Sequence, residues 1–575
     1  MKSIEKLQAA NNLSDLARLL ELKPKALSYM LYRSSPEARY TKFLVKKSSG
    51  GTREIHAPNK ALKLVQRRLL VYLQASLDWI EEQQIADKDC IISHGFKNNL
   101  SIATNAKNHV SRRWVFNLDL ESFFPAINFG RVRGFLIKNK HFQLSPSVAT
   151  VIAQITCHNN SLPQGAPTSP VISNLIAGHL DIRLAKLARA NRCTYTRYAD
   201  DITFSTNVQK FPSSIGRQGP FGLWEPGRRL HKEIASSGFN INSRKTRMQF
   251  LRSRQDVTGL IVNDDLGVKK ETLKQIRAQV QSWVKTGGAH DTISIAGSNV
   301  NIPISADVIQ GRLAHVFWVK AHGVEHKRNK VSWRNEASYI KTHRRFLDYQ
   351  DFASGIFPTI ICEGRTDNIY LRCAILSNDG CPENLRSMDD RAKLGVRLFN
   401  YSKTSSAIQH LGGGTGDIKN LIADYSGRMK SIGEIKFSSP VVIVVDNDDG
   451  ASKGKLNSAV KGNSKLPPNE RVDGSRDFYR VGPNLYIVYT PEISGKPKTM
   501  IEDFLPQAVK DQQLGGKTLQ LDEAKFDRAK HYGKVLLAEQ IVKRQMTTTD
   551  FSGYLPLLQR ISKAIEHFES DGTHA

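Results

Sequence analysis

The sequence predicts an α+β region followed by an α/β region, and three observations lead there. Up to about residue 350, strand-like hairpins lie among amphipathic helices; beyond Ile356, apolar strands and helices alternate, with strands such as "TIICEG" ending in acids. Charge divides at the same place: residues 1–350 carry 53 Lys and Arg against 26 Asp and Glu, and the remainder 30 against 28. The length, 575 residues, is enough for about two to four domains, each with its own core.

In chain order, the first forty residues read as helices, one starting at Ser14-Asp15 and one at Pro24 before "KALSYML". "FLVKKSSGGTREIHAP" reads as two strands joined by a Ser-Gly-Gly turn, and "NKALKLVQRRLLVYLQASLDWI" as a helix from its apolar spacing. "WVFNLDLESFF" is strand-like, "SPVISNLIAGHLDIRLAKLARA" is a long helix, and "CTYTRYADDITFS" is a hairpin. Basic helical segments are expected from about Lys269 to Lys320, followed by the polar, basic stretch "KAHGVEHKRNKVSWRNEASYIKTHRR". The expected divisions are 1–265, 266–350 and 351–575, with no internal repeat.

Several classes are excluded. No apolar run approaches the roughly 20 residues of a membrane span, and the amphipathic N-terminus lacks the apolar core and cleavage site of a signal peptide, so a cytoplasmic protein without membrane partners is expected. The six cysteines show neither CxxC pairs nor Cys/His metal spacing, which points to reduced thiols. A net charge of +29, concentrated in the first 350 residues, suits a surface that follows a phosphate backbone.

Within "RYADDITFS", Asp200 and Asp201 stand side by side in a strand hairpin, which is costly unless a cation offsets their repulsion. Hard divalent cations prefer oxygen ligands, and a two-metal phosphoryl-transfer site needs a further carboxylate, which Asp119 supplies at the end of another apolar strand.

"YADD", Asp119 with Phe124 five residues on, "LPQGAPTSPVISN" (162–174) and "GFNINSRKT" (238–246) stand in the order used by reverse transcriptases, and the chain resembles that family. The resemblance implies a right-hand polymerase of fingers, palm and thumb, with two Mg²⁺ held by Asp119 and Asp200 and with Asp201 as a weaker ligand. It implies that Lys47 and Arg53 clamp the deoxynucleoside triphosphate, Phe124 rejects ribonucleotides, Gln164 and Gly165 line the nucleotide pocket, and Lys245 assists the departing pyrophosphate.

"NAKNH" (Asn105 to His109) and "VTG" (Val257, Thr258, Gly259) resemble the NAxxH and VTG signatures of retron reverse transcriptases, and "SHGF" (93–96) fits the same family. That resemblance implies a cognate structured non-coding RNA as template and primer, and a branched RNA-linked single-stranded DNA, msDNA, as product. Asn105, His109 and the VTG residues would contact RNA, as would the thumb cations Arg277, Lys285, Arg312 and Lys320.

In the C-terminal part, Glu363-Gly364 follows one apolar strand and Asp446, Asp448 and Asp449 follow another, so the acids can converge at the carboxyl edge of a parallel sheet. This part resembles the Rossmann-like TOPRIM domain of topoisomerases, primases and related nucleases. The resemblance implies one or two Mg²⁺ or Mn²⁺ held by Glu363, Asp446 and Asp448, with Glu502 and Asp503 of "TMIEDFLP" completing the site. Lys403, Lys419 and Lys455 are candidate local cations. No topoisomerase cleavage domain with its tyrosine is recognisable, so metal-dependent phosphodiester cleavage fits better than strand passage or primase activity. The expected whole is a retron reverse transcriptase fused to an anti-phage effector nuclease acting on cellular or phage nucleic acid, with homo-oligomerisation compatible with restraint of the effector. The alternative is a C-terminal part that processes the msDNA or its template RNA.

Overall fold

The structure, a computed structural model, describes residues 3–46, 51–84, 91–295, 298–323, 337–448, 455–464, 466–467 and 469–571. Lys47 and Asp449 lie outside the described residues. The chain divides into two compact units, residues 1–272 with 315–330, and residues 273–314 with 331–575. The 266–350 segment, expected as a thumb and basic linker, contributes to both units.

The first unit is built on an antiparallel sheet whose central strand is Trp114–Glu121. Asp201–Thr206 pairs along one side of it and Thr194–Tyr198 lies beyond; Asn240–Ile241 and Arg247–Phe250 pair along the other side. Strand alternation sends Phe116, Leu118 and Leu120 into the main core and Asn117 and Asp119 to the opposite face. Helix Lys60–Gln84 covers the core with Leu62, Val65, Leu69, Leu73 and Leu77, three and four residues apart, and helix Ser169–Ala190 adds Val171, Ile172, Leu175 and Leu180. Each such buried side chain contributes roughly 1.5–3 kcal/mol of transfer free energy. An exposed antiparallel hairpin, Tyr40–Lys46 with Thr52–Pro58, projects from this body in continuous register.

The helical reading of 269–320 is corrected in one place. Helices Lys270–Thr286 and Ala306–Ala321 form, but between them Ala289–Ile295 and Ser298–Ile304 make an antiparallel hairpin. "DTISI" and "NVNIPI" alternate β-branched and polar residues, a period-two pattern that outweighs the basic character of the surroundings.

The second unit holds a five-stranded sheet in the order Arg397–Leu398, Thr359–Cys362, Val441–Val445, Leu485–Tyr489, Tyr479–Arg480, parallel except for the last strand. Alternate residues face two cores. Ile360, Cys362, Val442, Val444 and Tyr486 pack with helices Asp367–Ser377 and Leu555–Ser570. Ile361, Val441, Ile443, Val445 and Ile487 pack with helices Thr415–Ile432 and Leu456–Asn463. A sheet covered on both faces explains why its strands read as unbroken apolar runs.

Candidate active sites

In the first unit, register brings the acids together. Asp119 sits directly opposite Asp201 across the strand pair, so both side chains share the sheet face away from the main core. Asp200 occupies the turn one residue earlier, and its carbonyl accepts a hydrogen bond from the Leu120 amide at 3.0 Å. Burial, then repulsion from Asp119, raises Asp200 above its usual carboxylate range; Asp201 is pushed up to about 6 by burial and by Asp200 and Asp119. The Lys245 ammonium donates to Asp119 Oδ2 at 2.7 Å, and that bond raises its own pKa.

The turn carrying these acids is braced from beneath. Ala199 adopts a left-handed φ of 56°, and a Cβ on Gly95 would stand 2.6 Å from the Ala199 amide nitrogen, which is why "SHGF" needs glycine there. Arg197, fully buried, pairs with Asp181 at 2.7 and 2.8 Å and donates to the Ala199 carbonyl, Ser93 Oγ and Asn174 Oδ1. Sequence reasoning missed this pair; a buried Arg needs an acid, and Asp181, on the inner side of an apolar helix, was the available signal.

Around the acids lies a cavity of about 1100 Å³, lined among others by Arg53, Phe124, Gln164, Asp119, Asp200 and Lys245. A neighbouring cavity of about 350 Å³ shares Arg53, Phe124 and Gln164 and adds Gly165. The "LPQG" loop docks on the projecting hairpin, with the His56 amide donating to the Gln164 carbonyl at 2.9 Å. A Cβ on Gly165, whose φ is 118°, would meet Ile55 Cγ2 at 2.9 Å and the His56 carbonyl at 3.0 Å. Gln164 Oε1 is buried there and has no hydrogen-bond partner among the described residues.

The signature strings are placed differently from expectation. Asn105, His109 and Val257 are buried and so offer no surface to RNA. His109 bonds Ser205 Oγ and Thr196 Oγ1, each at 2.7 Å, behind the Asp200-Asp201 hairpin, and burial drives its pKa down to about 3. The two strings meet: Ala103, Ala106, Val257 and Leu260 share one apolar cluster, and Thr258 Oγ1 donates to the Ile102 carbonyl at 3.2 Å. Thr258 and Gly259 form the tight turn, with φ of 47° and 84°. Arg312 is likewise committed within the protein, held by Asp291 through two bonds of 2.7 and 2.6 Å and by Gln279 at 2.9 Å. Arg277 is exposed and donates to Ser338 Oγ at 2.9 Å.

In the second unit, Glu363 and Asp446 follow adjacent parallel strands at the point where the strand order reverses, the place where open α/β sheets build their sites. Glu363 Oε2 lies 3.5 Å from the Asp446 amide, and Asp446 Oδ1 accepts from the Ile501 amide at 2.8 Å. Burial, then repulsion from Glu502, Asp367 and Glu363, pushes Asp446 up to about 8, and Asp448 adds to the repulsion on Glu363. Glu502 is buried, its Oε1 has no hydrogen-bond partner among the described residues, and its pKa is raised by burial. A glycine-rich loop, Gly412 to Gly414, enters here too: the Gly414 amide donates to the Glu363 carbonyl at 2.8 Å.

Two residues were not assigned to this site from sequence. Asp367 accepts from the Gly364 amide at 2.7 Å, and Lys534 is a cation facing Glu502, Asp367, Asp446 and Glu363. Lys534 lies almost 90 residues from the nearest strand acid, so no local string marks it. Asp503, expected as a ligand, is instead engaged by Lys496 at 2.6 Å and by the Met500 amide at 2.8 Å. It also adds to the repulsion that raises Glu502.

Among the described residues, no three acid, histidine or cysteine side chains already form a ready metal cage. The donor chemistry nevertheless fits hard divalent cations at both places: buried oxygen donors repel one another and, at Glu502, include an orphaned oxygen. Also among the described residues, no helix is long and apolar enough to cross a membrane.

Comparison with known proteins agrees with the first unit's geometry. Residues 45–286 match the model of the reverse transcriptase (RNA-dependent DNA polymerase) family. Its relatives are retron enzymes: the Retron Mx65 reverse transcriptase of Myxococcus xanthus is 36% identical over 45% of this chain and 59% of its own length. The Retron Ec86 reverse transcriptase of Escherichia coli is 29% identical over 60% of this chain and 89% of its own. Among solved structures, apo telomerase from Candida tropicalis overlaps 55% of this chain and 61% of its own at 11% identity with a TM-score of 0.30, on which no argument rests.

Proposed function

We propose that the chain is a retron reverse transcriptase, copying a cognate non-coding RNA from deoxynucleoside triphosphates into RNA-linked msDNA, with a second, TOPRIM-like hydrolytic site in its C-terminal unit. One observation carries the first part: Asp119, Asp200 and Asp201 share a sheet face at the edge of a cavity that also holds Arg53, Phe124, Gln164 and Lys245. The likeness to retron enzymes favours msDNA as the product.

Asp119 and Asp200 would hold two Mg²⁺, with Asp201 in support; when bound, these supply charge neutralisation and a lowered hydroxyl pKa. The chain's own residues do the rest. Arg53 is placed to hold triphosphate oxygens by its planar fork, Phe124 narrows the pocket beside the sugar, and Lys245 holds a positive charge where pyrophosphate charge develops. Lys47 is assigned the same clamping role as Arg53, and Gln164 and Gly165 shape the floor.

In the C-terminal unit, Glu363, Asp446, Asp448 and Glu502 would hold one or two Mg²⁺ or Mn²⁺ for phosphodiester cleavage. Lys534 fits a role in offsetting negative charge on a phosphate brought among these acids. We assign this site to an effector against phage, held in check by msDNA on the same chain.

The test is extraction of nucleic acid from the protein co-expressed with its flanking locus, comparing wild type with Asp200→Ala plus Asp201→Ala on a denaturing gel before and after RNase. A discrete DNA that shifts on RNase treatment and is missing from the variant is expected; its absence from wild type would sink the retron assignment. For the second site, Glu363→Ala should leave msDNA unchanged and abolish protection against phage. Altered msDNA length in Asp446→Ala cells would point to processing instead.

A further inference from the structure

Within the second unit, helices Lys270–Thr286, Ser338–Asp348 and Thr415–Ile432 enclose a cavity of about 730 Å³ whose lining includes none of that unit's site acids. Its lining includes five cations, Arg277, Lys341, Arg344, Arg345 and Arg428, and one carboxylate, Asp348. The cations are graded by depth: Arg277 and Lys341 are exposed at the mouth, Arg345 is half-buried, and Arg344 and Arg428 are buried in the floor at 4% and 2% exposure.

The floor cations are held in fixed orientations by backbone carbonyls. Arg344 Nε donates to the Ile408 carbonyl at 2.5 Å, Arg428 to the Gln409 carbonyl at 3.0 Å, and Arg345 to the Ile432 carbonyl at 2.8 Å. Carbonyls orient a guanidinium without cancelling its charge. Asp348, the only acid among the described lining residues, is 3.9 Å from Arg428 and also accepts from Gln409 Nε2 at 3.2 Å. The Nε atoms of Arg345 and Arg428 are buried with no hydrogen-bond partner among the described residues. A cationic pocket with pre-oriented donors left over is costly to maintain unless an anion completes it.

We propose that this cavity is a binding site for a phosphate-bearing group of nucleotide size, either a free phosphorylated small molecule or the phosphorylated end of a nucleic-acid strand. Phosphate matches the donors, since it presents several oxygens and more than one negative charge to planar guanidinium forks. The volume is in the range of small-ligand pockets, too small for a duplex. The site is independent of the catalytic assignments above.

The test uses the full-length protein in EDTA, which removes metal-dependent triphosphate binding at the acid groups. Calorimetric titration with inorganic tripolyphosphate should show one site per chain. Affinity should fall about tenfold or more in Arg277→Ala plus Lys341→Ala, an exposed pair whose loss leaves the core intact, or in Arg428→Gln where that variant folds. Competition by a short oligothymidylate bearing a 5′-phosphate, but not by the same oligomer with a 5′-hydroxyl, would assign the site to strand ends; competition by neither would assign it to a free phosphorylated molecule. No binding to wild type, or affinity unchanged within about twofold in every folded variant, would overturn the proposal.

Discussion

Phe124 reaches both cavities of the first unit, with its ring 6.1 Å from Phe96 and 5.4 Å from Phe123, so neighbouring rings fix its position rather than any hydrogen bond. If it excludes a 2′-hydroxyl by bulk alone, discrimination is of the size a steric pocket allows. Phe124→Ala is expected to raise ribonucleotide use relative to deoxynucleotide use by about 10–200-fold in single-nucleotide extension assays; an unchanged ratio would remove Phe124 from that role. Arg197 presents the opposite case, a charged group whose whole environment is protein. Replacing it with Met strands Asp181 and releases the Ala199 turn, and a loss of about 3–5 kcal/mol is expected in denaturant titration. Asp181→Asn should be comparably damaging, because it leaves the buried guanidinium without its counter-charge.

At the level of elements, the pocket proposed for the nucleotide depends on the fit of the "LPQG" loop against the projecting hairpin. Gly165→Ala adds a Cβ 2.9 Å from Ile55 Cγ2 at a φ that disfavours side chains, so the loop must withdraw. About 1–3 kcal/mol of strain is expected, read as a raised KM for deoxynucleotides larger than any loss of thermal stability. Behind the Asp200-Asp201 hairpin, His109 couples the helix Ile102–Lys107 region to the sheet through Ser205 and Thr196. Its folded pKa, about 3, lies below the ordinary 6.5, so between those values the unfolded chain binds the extra proton. Its contribution to stability is therefore complete above about pH 6.5 and is lost progressively as pH falls toward 3. His109→Gln, which hydrogen-bonds without titrating, should flatten the fall in unfolding midpoint between pH 7 and 5; an equally steep fall would place the acid sensitivity elsewhere.

Across the whole molecule, what the sequence displayed depended on whether a property was local. The Asp119 strand, the Asp200-Asp201 hairpin and the parallel strands ending at Glu363 and Asp446 were legible because their alternation and their acids lie within a few residues of each other. Lys534, Asp181 and the basic cavity were not, because each depends on residues far apart in the chain. The burial of Asn105, His109 and Val257 was hidden for a related reason: a recurrent string reads the same whether it faces a ligand or braces the fold. The two acid groups occupy separate compact units with separate cores, Asp119 and Asp200 in one and Glu363 and Asp446 in the other. Glu363→Gln plus Asp446→Asn removes two ionisable groups from a crowded edge where burial and repulsion already raise both. Those substitutions keep shape and hydrogen bonding, so the fold should be at least as stable as wild type. Primer extension should stay within about twofold of wild type, whereas metal-dependent cleavage of nucleic acid should fall by about a hundredfold or more. Equal loss of both activities would mean that the second acid group serves polymerisation, and the reading of two independent chemistries on one chain would have to be abandoned.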